Sequence, residues 1–305
     1  MINCKKGLRI LLLSLVVIVS LSLSLIGSSN AKAATTSKSE LSPYTMISND
    51  GTITPPTKPS NKTFSKQRDG ATTPSYKGTN AQKATVKNGL PSIGAKSIIG
   101  RDDRERVTST TSYPYSAIAQ ISTDLGDCTG WFINANTVVT AGHCVYNTDI
   151  NKWANWSTVT PGRDGNNAPY GTYNSNSFHS VSGWINNEDT NYNYAVIKLN
   201  SDIGNRVGYF GLRFQSGPLM GAEETISGYP GDKPYGTQWR QNDRISQVDD
   251  KKLYYTNDTH AQSGSPVFLR DNYSIGIHTD GGNSYNSGIR INEDVFNNLV
   301  YWENQ

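Results

Sequence analysis

Beyond residue 110 the apolar residues of this chain come only in short runs bounded by turn formers. The runs are Ala117-Ile118-Ala119-Gln120-Ile121, Gly130-Trp131-Phe132-Ile133, Thr137-Val138-Val139-Thr140, Ala195-Val196-Ile197-Lys198-Leu199, Thr225-Ile226-Ser227, Leu253-Tyr254-Tyr255, Pro266-Val267-Phe268-Leu269 and Ile275-Gly276-Ile277. They are rich in β-branched and aromatic residues and too short for helices, so they predict the strands of an all-β sandwich or barrel. One helix is predicted at the end. Asn292 can cap it, Glu293 and Asp294 suit the positive end of its dipole, and Val295, Phe296, Leu299, Val300 and Trp302 fall on one stripe at helical spacing. With 17% charged residues, Gly 28 and Tyr 17, the composition excludes a coiled coil, a collagen and a wholly disordered chain.

The chain divides by charge. Residues 1–96 carry 13 basic and 3 acidic residues, whereas 97–305 carry 15 basic and 22 acidic, a net −7 that argues against nucleic-acid binding. Lys5, Lys6 and Arg9 precede an apolar run from Leu11 to Ile26, followed by Ala31-Lys32-Ala33. This is the pattern of a secretory signal peptide over residues 1–33, the alternative being an uncleaved membrane anchor. Export removes Cys4 and leaves Cys128 and Cys144, an even pair suited to an oxidising exterior, and a disulfide between them is expected. Residues 34–96 are rich in Ser, Thr, Lys and Pro, with no apolar period, and cannot fold alone. They read either as a disordered tail or as a pro-segment removed by a cut after Lys96, which would make Ser97-Ile98-Ile99-Gly100 a new N-terminus. Being basic, the segment is expected to pair electrostatically with the acidic remainder.

His143 lies in Thr140-Ala141-Gly142-His143-Cys144, just after an apolar run, and Ser263 lies in Gln262-Ser263-Gly264-Ser265-Pro266, just before another. With Ser97-Ile98-Ile99-Gly100, Cys128-Thr129-Gly130-Trp131, Asn205-Arg206-Val207-Gly208-Tyr209, Ser227 to Lys233 and Ile277-His278-Thr279, these pieces occur in order along residues 97–305. That part of the chain resembles the chymotrypsin-like serine proteases, and among them the secreted glutamyl endopeptidases of bacilli and staphylococci. An α/β-hydrolase is a poorer description, because Ser263 is not in a Gly-x-Ser-x-Gly elbow and no strand-helix alternation surrounds it.

The resemblance implies two six-stranded antiparallel β-barrels, over 97–205 and 206–305, with a C-terminal α-helix and the site in the cleft between them. His143 is implied as general base towards the nucleophile Ser263, and the Cys128–Cys144 bridge as an anchor beside it, stabilising by about 3 kcal/mol. Two positions depart from the family. Where an Asp should orient the imidazole the chain has Asn193, and Asp189 four residues earlier is the other candidate. Where a Gly should present an oxyanion N–H together with Ser263, the chain has Ala261.

For the primary pocket, the resemblance implies His278 and Thr259 as contacts to a substrate Glu carboxylate, with the amino group freed at Ser97 adding positive potential. His179 and His260 match no role. No His/Cys/Asp group has metal-site spacing, so no cofactor is expected, and a structural calcium ion is left open. The expected function is a secreted, monomeric serine endopeptidase cleaving proteins or peptides after Glu, and less well after Asp. It would be activated by another protease cutting after Lys96 and be free of the membrane once its signal is removed. The alternative, motivated by Asn193 and Ala261, is a protease-fold binding protein with little catalysis.

Overall fold

In the computed structural model of the chain, residues 41–58, 65–67, 69–79, 86–87 and 98–305 are described, so the leader, Lys96 and Ser97 lie outside the described residues. The short apolar runs form strands buried on both faces. In Thr137–Thr140, Val138 enters one apolar cluster with Phe132, Phe178 and Ile197, while Val139 enters another with Trp131, Val196 and Phe210. Such a strand has no solvent face, which is why its sequence shows a continuous run rather than alternation.

Two sheets result. The first runs Tyr173–Ser175, Ser157–Pro161, Ile118–Thr123, Gly126–Phe132, Thr137–Thr140, Ala195–Lys198, Ser177–Val181, Met46–Ser48 and Ile53–Thr54. The second includes Lys252–Tyr255, Asn286–Arg290, Tyr273–Asp280, Pro266–Phe268, Glu223–Gly228, Trp239–Arg244 and Glu105–Val107 in that order. Its pairing departs from purely antiparallel, because Gly211–Gln215 runs parallel to Tyr273–Asp280. A third cluster, with Ile226, Leu253, Tyr255, Val267 and Ile275, fills the interior of this second sheet. The helix Glu293–Glu303 is capped by the Asn292 side chain on the Val295 N–H at 3.0 Å and buries Val295, Phe296, Leu299, Val300 and Trp302. The arrangement is chymotrypsin-like: mostly antiparallel sheets in half-barrels and a short terminal helix.

The segment read as a pro-segment has no core of its own and borrows one. Met46–Ser48 pairs antiparallel with Ser177–Val181, and Gly70–Thr72 with Gly211–Gln215, so the segment adds a strand to each sheet. Met46 and Ala71 are buried, the main-chain N–H groups of Ser182 and Gly183 donate to Thr45 and Pro43 carbonyls, and Gly70 is forced because a Cβ there would meet the Phe214 carbonyl at 2.1 Å. Among the described residues the ion pair joining segment to body is Lys58–Glu293, at 4.0 Å and solvent-exposed, which contributes little. Exposed edge strands favour pairing by backbone hydrogen bonds, and the described strands of the segment join the sheets in that way.

Candidate active site

Strand Thr137–Thr140 leads directly into a 3-10 turn, Gly142–Cys144, that carries His143. Gly142 is required in this turn, since a Cβ would meet the Trp184 ring at 2.7 Å. Cys144 is bonded to Cys128 on the neighbouring strand Gly126–Phe132, with 6.2 Å between the Cα atoms, which fixes the turn to the sheet.

Asn193 follows the 3-10 turn Thr190–Tyr192 and is only 3% exposed. Its Oδ1 accepts from the main-chain N–H of His143 at 2.9 Å and lies 3.2 Å from His143 Nδ1, while its Nδ2 stands nearer that ring nitrogen, at 2.9 Å. The main-chain donor fixes which end of the amide is oxygen, so the NH2 group faces the ring. An amide N–H donating to Nδ1 leaves the imidazole proton on Nε2, the nitrogen a general base must keep free. Burial lowers the His143 pKa below the usual histidine value, and Asn193, whose Oδ1 can accept from a protonated Nδ1 at 3.2 Å, opposes this only in part. Asp189 is not at the ring: its carboxylate caps the turn Thr190–Tyr192 by accepting from the Asn191 N–H at 2.9 Å.

Ser263 is brought to the same place by the main chain. Its carbonyl accepts from Thr129 N–H at 2.8 Å, on the strand that holds Cys128, and lies 4.0 Å from Cys144 Sγ. Gly264 follows with φ +89° and no room for a side chain, because a Cβ would strike the Thr129 carbonyl at 2.0 Å. Gly264 N–H donates to the His278 carbonyl at 2.8 Å, lacing the loop to strand Tyr273–Asp280. The N–H groups of Ala261 and Ser263 have no acceptor among the described residues, but Ala261 holds φ +52°, the left-handed region where a Cβ costs energy.

His278 is buried behind this loop, with Nδ1 2.8 Å from the Tyr255 hydroxyl. Burial pulls its pKa down to about 4, so the ring is neutral near pH 7. Thr259 is 1% exposed and its hydroxyl has no partner among the described residues. Asp258, the preceding residue, accepts the N–H groups of Ile99 at 2.8 Å and Asp103 at 3.0 Å. The stretch just after Ser97 is therefore tied to the loop carrying Thr259, Ala261 and Ser263.

His179 lies away from this group, 2.6 Å from the Ser48 hydroxyl on strand Met46–Ser48. His260 sits partly exposed in the loop. Sequence reading missed Trp184, which packs beside His143 with 6.3 Å between ring centroids, and Tyr255, which stands at His278. Each reaches the site through the fold, and no local pattern announces it.

The trypsin family profile matches residues 103–300, well over half of the chain. The chain belongs to the trypsin family. It is 48% identical over 221 residues to the glutamyl endopeptidase of Bacillus licheniformis, covering 68% of this chain and 70% of that protein. It is 43% identical over 289 residues to a Bacillus subtilis protein named extracellular metalloprotease, covering 88% of this chain and 90% of that one. Among solved structures it is similar to a Glu endopeptidase in complex with MPD, with 35% identity and a TM-score of 0.66, covering 68% of this chain and all of the other. Trypsin-family membership with these relatives makes the chain a serine-endopeptidase homologue. The Bacillus subtilis name implies a metal, and the residues do not fit one. The potential ligand atoms that cluster within 4.8 Å among the described residues belong to Cys128, His143 and Cys144, and both sulfurs are joined in the disulfide, where neither is a thiolate ligand.

Proposed function

We propose that this trypsin-family protein is a secreted serine endopeptidase that cleaves after Glu, and less well after Asp. Ser263 is the nucleophile, His143 its general base, and the N–H groups of Ser263 and Ala261 form the oxyanion hole. The Glu preference rests on one observation: a buried neutral imidazole, His278, and a buried hydroxyl without a partner, Thr259, both belong to the wall beside the Ser263 loop. An unpaired buried hydroxyl is costly unless a ligand completes it, and a carboxylate accepts from both donors. The amino group released at Ser97 adds positive charge where Asp258 already gathers the N-terminal stretch. Export with a cut after Ala33, and activation by a second protease cutting after Lys96, complete the reading.

His143 takes the Ser263 proton as Ser263 attacks the scissile carbonyl, then delivers it to the leaving amine; water reverses the sequence on the acyl-enzyme. Asn193 restrains the first step, because with Nδ1 occupied by an amide N–H the ring must change tautomer before it accepts. This favours a second reading, a protease-fold binding protein with little turnover. Cleavage mapping on a mixed peptide library, with active-site labelling by an organofluorophosphate, separates the two. Cuts after Glu and label on Ser263 support the protease; no cuts and no label support the binding protein.

A further inference from the structure

Behind His278 the second barrel holds a buried phenol that no step of the reaction uses. Tyr255 closes strand Lys252–Tyr255, packs among Leu253, Val267 and Ile275, and among the described residues its hydroxyl reaches a polar partner only at Nδ1 of His278, 2.8 Å away. Two proton arrangements suit that contact, and hydrogen-bond accounting separates them. With the proton on Nδ1, the ring donates to the phenol oxygen, and the phenol proton is left without an acceptor among the described residues, a costly loss for a buried donor. With the phenol as donor, its proton is satisfied and the imidazole proton sits on Nε2.

We propose that Tyr255 is a positioning residue for substrate selection: by donating to Nδ1 it holds His278 in the Nε2–H tautomer, the uncharged form able to donate to a Glu carboxylate. The inference rests on the reading of His278 as the group that meets that carboxylate. The phenol is a durable donor, since burial, and secondarily the neighbouring Glu224, push its ionisation well above the usual range. Because His278 is uncharged, the position of its one proton, rather than net charge, decides whether the pocket presents a donor or an acceptor. An acceptor there would repel a carboxylate and tolerate an amide.

The test uses the full chain with 15N-labelled histidine, which contains four histidines, with His278 assigned by loss of its signal in His278→Asn. The expected result is an Nδ1 without a proton and a protonated Nε2 in the parent, and a mixture of tautomers in Tyr255→Phe. In parallel, calorimetry compares blocked tripeptides ending in Glu amide and Gln amide, which requires no turnover. The Glu-over-Gln affinity ratio should fall about tenfold in Tyr255→Phe, the scale of a lost specific donor. A protonated Nδ1 in the parent overturns the proposal without recourse to any variant, as does a Phe variant that keeps both tautomer and ratio. If the parent shows the expected tautomer but binds both tripeptides equally, the carboxylate reading of His278 fails and the selection role falls with it, while the Tyr255–His278 bond stands.

Discussion

The side-chain amide of Asn193 grips His143 twice, accepting from its main-chain N–H at 2.9 Å and presenting Nδ2 to its ring Nδ1 at 2.9 Å. The first contact is one a carboxylate makes equally well; the second is one it reverses. Asn193→Asp therefore keeps the geometry and turns the ring so that Nε2 is free. A change of this kind in a Ser-His-Asp triad is worth about 10⁴ in kcat, and the gain here should approach that. Steady-state kinetics on a Glu peptide measures it, and equal turnover in parent and variant would show that some other group completes the triad.

The same pair sets the pH profile. Burial holds His143 below its ordinary value of 6.5, and the base works only unprotonated. Activity of the parent should thus fall as pH drops through a midpoint below 6.5. A carboxylate at 193 stabilises the imidazolium and moves that midpoint upward. A profile of kcat/KM for both proteins tests the sign, and an unmoved acid limb would remove His143 as the titrating base.

Ala261 keeps φ +52° with its Cβ against Gly231, where a Cβ on that glycine would lie 2.9 Å away. Left-handed backbone costs an Ala about 1 kcal/mol, which Gly avoids but offsets by its greater freedom when unfolded. Ala261→Gly should change the melting temperature little. Its effect belongs in kcat, up to about 10²-fold, through better aim of one oxyanion donor. The gain should be larger in the Asn193→Asp background, where proton transfer no longer limits the rate. An Ala261→Gly enzyme with higher KM and unchanged kcat would argue against this placement of the hole.

What the sequence discloses follows from how far each interaction reaches along the chain. Thr137–Thr140 and Ala195–Lys198 are legible because both faces are buried and every residue must be apolar or hydrogen-bonded. Trp239–Arg244 is not, because its outward residues are answered by charges across the strand: Arg240 by Glu105 and Arg244 by Glu223. Ser177–Val181 is hidden likewise, with Ser180 buried on a hydrogen bond to the Tyr194 carbonyl at 2.7 Å. His143, Asn193, Ser263 and His278 stand in recognisable local contexts. The proton position at His143 does not, since it depends on which end of one amide a main-chain N–H selects. That the strands Met46–Ser48 and Gly70–Thr72 of the segment 34–96 find partners in two sheets is invisible in its own composition.

Those edges give a prediction about salt. Met46 is 2% exposed and its strand pairs Met46 with Val181, whereas Lys58–Glu293 is exposed on both sides. Met46→Asp in the intact chain buries an unpaired charge and should cost about 3 kcal/mol. Lys58→Ala should cost next to nothing. Denaturant melts at roughly 0.05 and 0.5 M salt, which bracket a Debye length of about 10 Å, should give the same Met46→Asp loss. A loss that shrinks strongly with salt would return the segment to electrostatic docking.

Glu224 supplies the last prediction. Its side chain is fully buried in strand Glu223–Gly228, both carboxyl oxygens lack a close hydrogen-bond partner among the described residues, and burial raises its pKa well above 4.5, with Asn257 opposing only slightly. The folded protein therefore keeps this proton after the unfolded chain has lost it. Above pH 4.5 the unfolded state gains about 1.4 kcal/mol per pH unit relative to the folded one, until the folded group also ionises. Gln has the same shape and no proton to lose. Glu224→Gln should match the parent near pH 4 and become progressively more stable than it as pH rises. Buried His179 and His278, both drawn down to about 4, act in the opposite sense, removing stability as pH falls below 6.5. They are common to both proteins, so the difference in melting curves isolates Glu224. A constant difference from pH 4 to 8 would mean that its carboxyl ionises in the folded chain as readily as in the unfolded one.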